Sequence, residues 1–231
     1  MNRSDFFKYQ ENGVIGKVVG QMILRSVKAR FHTVYWNPPP YKIESPAIFV
    51  PNHHGWFDGY LMYCAAKKLN CPMIDWIEEY DAFPLFRYIG GMPFPKENPQ
   101  ERFKTVRNSI RWMQEHNKNL LLFAEGKLHR APEVLTLGKS VEVVANRVPV
   151  KSIIPVAIVY EMGMHERPKA YIQFGEPIAR QDLDLEQLRL KIESLIATTK
   201  NEIRNSSSFE VLQIGTKDVN ERLGFNRKKR K

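Results

Sequence analysis

Apolar positions in residues 5–36 recur with a helical period. Val14, Ile15, Val18, Val19, Met22 and Ile23 fill one side of a helical wheel, with Lys17, Gln21 and Lys28 opposite. This predicts an amphipathic helix, with Tyr35 and Trp36 at its end. "NPPP" at 37–40 stops it, because consecutive prolines lack N–H donors. Short apolar runs then alternate with helical stretches. "AIFV", "PMIDWI", "NLLLFA", "KSIIPVAIVY" and "KAYIQF" read as strands, and "FDGYLMYCAAKKL", residues 82–89 and "GKSVEVVAN" as helices. Asn98, Pro99 and Glu101 form an N-cap, first helical residue and capping-box acid, opening a helix whose buried stripe is predicted as Phe103, Val106, Ile110 and Met113. A last amphipathic helix carries Leu185, Leu188, Ile192 and Ile196 on one side.

This alternation predicts an α/β fold, a mixed central sheet covered by helices, preceded by the amphipathic N-terminal segment. There is no internal repeat. Three regions follow: 1–40 as a helical, membrane-interface segment, 41–205 as the α/β domain, and 206–231 as a basic, flexible tail. With 231 residues, 43% of them hydrophobic, the chain can bury one sizeable core. Cys64 and Cys71 are too few for a disulfide framework and are read as reduced thiols of a cytosolic protein. The sequence shows no signal peptide and no apolar run long enough to span a bilayer. Thirty-five Lys plus Arg against 25 Asp plus Glu give a formal charge of +10, favouring an anionic partner. The last ten residues, "RLGFNRKKRK", hold six basic side chains and no acid; they suit either a solvated tail or attachment to anionic lipid. Nucleic acid is disfavoured, since helix-turn-helix, zinc-finger and RNP signatures are all absent.

Chemistry concentrates in "PNHHGWFD" at 51–58. In an unbroken helix His53 and Asp58 would lie about 140° apart, but a turn at Gly55 can bring them together. The carboxylate would then hold one imidazole nitrogen and leave the other as a base. Spacing does not say whether His53 or His54 is that base. A structural turn is an alternative. A metal site is another, although no third or fourth ligand stands at a workable spacing.

Three further blocks follow in order: "GGMPFPK" at 90–96, "LLFAEGK" at 121–127 and "VPVKSIIPVAIVY" at 148–160. With "NHHGWFD" they resemble the N-H-x4-D, glycine-to-arginine, F-P-E-G-T-R and proline-ended strand motifs of the glycerolipid acyltransferase family, which includes lysophosphatidate acyltransferases. "LGK" at 137–139 and "FGEPI" at 174–178 are similar to its connecting segments. The likeness spans residues 46–180. Two departures bear on the acceptor. Lys96 stands where the second block has arginine, and Lys127, Leu128 and His129 replace the T-R-S of the third. Lysine offers a point charge without arginine's planar fork.

The resemblance implies transfer of a fatty acyl group from coenzyme A or acyl carrier protein to a lipid hydroxyl, with no bound cofactor and no metal. His53 would remove the hydroxyl proton and Asp58 would stabilise the imidazolium; an ordinary histidine pKa of about 6.5 suits that exchange. Backbone amides near Gly126 or Pro155 are the candidates for stabilising the oxyanion. Glu125 and Gly126, with Lys96, Lys127 and the displaced Arg130 as phosphate holders, form the implied substrate set. Glu125 is expected to orient the acceptor or brace its loop, and Arg102 and Arg107 are weaker candidates. The implied setting is peripheral, on the cytoplasmic face of an anionic membrane. The N-terminal helix would lie in the interface or pack on the domain's own core, since either gives the same stripe. The rival readings are a catalytically inactive homologue binding lipid or a partner, and a hydrolase using the same base on water.

Overall fold

Along the strand Ala47–Pro51 the side chains divide between two cores. Ala47 and Phe49 pack on one face of the sheet, Ile48 and Val50 on the other, and all four are fully buried. A strand buried on both sides calls for helices on both faces, and the computed structural model, which describes residues 13–205 and 208–223, has that arrangement.

The elements in order are α1 (Val14–Arg30), β1 (Thr33–Asn37), β2 (Ala47–Pro51), α2 (Asp58–Lys68), β3 (Met73–Ile77), β4 (Gly91–Pro93), α3 (Pro99–His116), β5 (Asn119–Leu121), α4 (Ser140–Ala145), β6 (Ser152–Glu161), β7 (Lys169–Phe174), α5 (Leu185–Arg204), β8 (Glu210–Ile214) and α6 (Val219–Leu223). Short 3-10 turns cover Tyr80–Ala82 and Pro84–Ile89, where a helix is expected near 82–89. The sheet runs β4-β3-β5-β2-β6-β7-β1-β8. Strands β4 through β6 are mutually parallel. β7 is antiparallel to β6, β1 parallel to β7, and β8 antiparallel to β1. The mixed α/β sheet expected from the pattern is therefore present.

Three expectations need correction. The N-terminal helix ends at Arg30, not at residue 36. "TVYW" is β-branched and aromatic, and it pairs as β1 between β7 and β8. Arg167 helps to close the helix end, its guanidinium donating to the carbonyls of Lys28 and Phe31 at 2.9 and 3.2 Å. On α3, Phe103 is exposed, and the buried positions are Thr105, Ser109, Trp112 and Met113. Finally, part of the expected flexible tail is structured, because β8 extends the sheet and α6 follows it. The sheet thus takes strands from the segments on either side of 41–205. The basic end itself, residues 224–231, lies outside the described residues.

The α3 cap forms as expected, with the Asn98 side chain accepting from the Glu101 amide at 3.0 Å. Cys64 and Cys71 are free and buried, and burial pushes both thiols up, Cys71 to about 11.

Candidate active site

The C-terminal ends of β2, β5 and β6 are adjacent at the centre of the sheet, where chain leaving β2 and β5 turns toward opposite sides. Open α/β sheets hold ligands at such a point. Directly after β2, the buried Asn52 bridges to β6. Its Oδ1 accepts from the Ile158 amide at 2.8 Å, and its Nδ2 donates to the Ile158 carbonyl at 3.0 Å and to His54 Nδ1 at 3.0 Å. His54 Nε2 donates to the Glu133 carbonyl at 2.8 Å. Both nitrogens of His54 are engaged, so it is not free to act as a base.

His53 has the opposite arrangement. Its Nδ1 lies 3.0 Å from Asp58 Oδ2, and its Nε2 has no hydrogen-bond partner among the described residues. A carboxylate facing Nδ1 requires the proton there and leaves Nε2 with its lone pair. The imidazole stacks on Phe123, with ring centroids 4.3 Å apart. Asp58 is fully buried in the first turn of α2. Its Oδ2 also accepts from the Gly55 amide at 2.9 Å, and its Oδ1 accepts from the Tyr160 hydroxyl. Burial, then the charge and hydrogen bond of Asp58, push the Tyr160 phenol well above its ordinary range, so it remains a donor. Gly55 earns its place by close approach rather than by a special turn. Only Gly90 and Gly126 among the described glycines have left-handed φ, whereas a Cβ on Gly55 would meet the Tyr160 ring at 2.5 Å.

Glu125 is a brace. Its Oε1 accepts from the His53 amide at 2.7 Å, and its Oε2 accepts from the Leu135 amide at 2.6 Å and contacts His129 Nε2. Both oxygens of Glu125 are thus held by the protein, one of them on the backbone of His53, and the residue is outside the lining of the cavity described next. His54, Glu125 and His129 bring ligand atoms within 4.8 Å of one another, as do His32, His165 and Asp218 near β8. In the first group the hydrogen bonds just described already occupy His54 and Glu125.

His53 opens on a cavity of about 1040 Å³ between the sheet, α1, α2 and the Pro84–Ile89 turn. Gly126 (φ 69°), Lys127 and Lys96 line it. Lys96 is paired with Glu78 at 2.7 Å, and both are about half exposed. Arg130 is exposed and outside the lining, while Arg102, a weaker candidate by sequence, is inside it. Near the expected oxyanion positions, Gly126 uses its own amide on the Phe123 carbonyl at 3.0 Å, with Lys127 beside it in the cavity lining, whereas Pro155 has no N–H and neither it nor Ile154 and Val156 line the cavity. Tyr160 and Phe123 were not singled out by sequence, and Asn52 entered only as the first residue of the "NHHGWFD" block. Tyr160 and Phe123 lie inside the fourth and third blocks, but nothing in their spacing marks them.

The fold is shared with a solved structure. The crystal structure of the 1-acyl-sn-glycerophosphate (LPA) acyltransferase PlsC from Thermotoga maritima superposes with a TM-score of 0.58 at 20% identity, covering 83% of this chain and 80% of that one. No curated protein sequence matches the chain. Residues 28–159, more than half of the chain, match the acyltransferase family, and the chain belongs to that family.

Proposed function

We propose that this protein moves a fatty acyl group from a thioester, on coenzyme A or acyl carrier protein, to a hydroxyl of a lysophospholipid or other lipid acceptor. The observation that carries this reading is the oriented His53–Asp58 pair at the wall of a large, mainly apolar cavity. A cavity of that size accommodates a long acyl chain. His53 Nε2 takes the acceptor's proton as its oxygen attacks the thioester carbonyl. Asp58 holds the imidazole in the required tautomer and stabilises the imidazolium. Tyr160 and the Gly55 amide fix Asp58. The carbonyl carbon gains the new C–O bond, the C–S bond breaks, and the thiolate leaves with the proton from His53. Lys96, Lys127 and Arg102 supply positive charge for a phosphate-bearing acceptor or the donor's carrier. Lysophosphatidate is the acceptor acted on by the T. maritima enzyme. Lysine at 96 and 127 is compatible with a different lipid here.

Attachment is peripheral in this reading. No helix among the described residues is long and apolar enough to cross a membrane. Val14, Ile15, Val18 and Met22 of α1 are exposed, and α1 carries Lys17, Arg25, Lys28 and Arg30 with no acid. Such a surface suits an anionic leaflet.

The test is thiol release from long-chain acyl thioesters with a panel of lipid hydroxyl acceptors, comparing wild type with His53→Ala. Acceptor-dependent release that falls at least about a hundredfold in the variant supports the mechanism. Equal release by the two proteins removes His53 as the base. Ligand binding without release on either carrier would select the inactive-homologue alternative.

A further inference from the structure

Asp75 is an anomaly in this cavity. On β3, Met73 packs with the core on the α1 and α2 side and Ile74 with the opposite core, so alternation aims Asp75 toward α2 and the cavity it lines. Its Oδ1 is closed off from solvent and has no hydrogen-bond partner. Burial pushes the carboxyl up to about 7, against a smaller opposing effect from the Trp76 amide. A buried polar atom without a partner costs free energy, and one at a ligand cavity points to a group supplied by the ligand.

Its neighbours show which part of a ligand it would meet. Asp75 Oδ2 lies 3.7 Å from where a Gly59 Cβ would stand, and the Phe123 ring lies 4.0 Å from the same point. Phe123 in turn stacks on His53. Gly59 follows Asp58 directly in α2, and its missing side chain leaves the carboxyl open toward Phe123. Phe123 is thus close to both Asp75 and the base. A chain whose carbonyl sits at His53 runs along the same cavity wall as the carboxyl. In its neutral form a carboxyl both donates and accepts one hydrogen bond, the complement of a hydroxyl. The soft χ2 torsion of aspartate lets either oxygen turn to it.

We propose that the cavity takes an acyl chain bearing a hydroxyl near its thioester end, and that Asp75 is the residue that recognises it. The proposal rests on the acyl-transfer reading of the same site.

The experiment compares β-hydroxypalmitoyl and palmitoyl thioesters, on coenzyme A and on acyl carrier protein, with the same acceptor panel. Wild type, Asp75→Asn and Asp75→Leu are measured. Expected is a wild-type kcat/KM ratio of about tenfold or more in favour of the hydroxylated chain, because a site built for a hydroxyl rejects the analogue without one. The ratio should fall toward unity in Asp75→Leu and be largely kept in Asp75→Asn, whose amide also donates and accepts. A wild-type ratio at or below unity overturns the proposal while leaving acyl transfer standing, and that comparison needs no variant to fold. An unchanged ratio in Asp75→Leu also overturns it. Turnover of neither thioester on either carrier overturns the acyl-transfer reading, and this one with it.

Discussion

A methyl group on Gly55 would have to displace the Tyr160 ring, 2.5 Å away, and with it the hydroxyl that holds Asp58. Gly55→Ala should therefore destabilise the fold by about 1–3 kcal/mol, the usual range for overpacking. It should also lower kcat at temperatures where the variant is still folded. Urea unfolding beside steady-state kinetics checks this, and a variant with wild-type midpoint and rate would mean the ring moves freely. Asp75 allows a pH test. Its folded pKa, about 7, lies above the ordinary carboxylate value, so the folded state binds the proton more tightly than the unfolded chain does. Below the ordinary value the carboxyl is neutral in both states and contributes nothing. Stability then falls as pH rises toward 7 and stays reduced above it. His53, Glu78, Glu79, Lys96, Arg102 and Lys127 line the same cavity and are common to wild type and variant, so the difference between the two proteins isolates Asp75. Asp75→Asn should consequently gain melting temperature over wild type between pH 5 and pH 8, a benefit on the order of a few kcal/mol. A difference that does not change with pH would show that the carboxyl is not held neutral.

Helix α1 shows how one sequence stripe can serve two partners. The apolar residues expected on one side divide in the fold. Val19, Ile23 and Val27 are buried, and Gly20 lies against the Tyr63 hydroxyl. Val14, Ile15, Val18 and Met22 remain outside. The packing and membrane-interface readings of the helix thus concern different residues. Deleting residues 1–36 would remove β1 from the sheet and confuse the two. Replacing Val14, Val18 and Met22 together with serine leaves the packed side intact. This variant should keep its melting temperature within a few degrees and lose most of its flotation with anionic vesicles. Undiminished flotation would assign attachment elsewhere, the basic C-terminal end being the alternative. Helix α3 teaches a related lesson about stripes. Thr105 and Ser109 are buried because they have polar partners, Thr105 donating to the Pro93 carbonyl and Trp76 Nε1 donating to Ser109 Oγ at 2.8 Å. Hydropathy alone turned that face toward Phe103.

At the scale of the molecule, elements were legible wherever a local period or cap set them. β2, α2, β3, α3, β6, β7 and α5 stand close to where their apolar spacing and N-caps put them, since backbone hydrogen bonding and a period of two or 3.6 are properties of neighbouring residues. β8 was not legible, because an edge strand with exposed Val211 and Ile214 lacks a buried face to pattern it. In the site, residue types and order pointed to His53 and Asp58, and geometry brings the two together at 3.0 Å. Sequence left open which histidine is oriented as a base, and the tertiary structure separates them by engaging both nitrogens of His54. It also makes Glu125 a brace, leaves Arg130 outside the cavity, and brings Tyr160 to Asp58 across 102 residues of chain. The sequence by itself determined the alternation of helix and strand, the basic surface and the paired imidazole and carboxylate, because each is written in residues close together. Only the tertiary structure decided the strand order, the partners of Asp58 and the partnerless Asp75 Oδ1 in the cavity wall, because those depend on which distant segments the packed sheet makes neighbours.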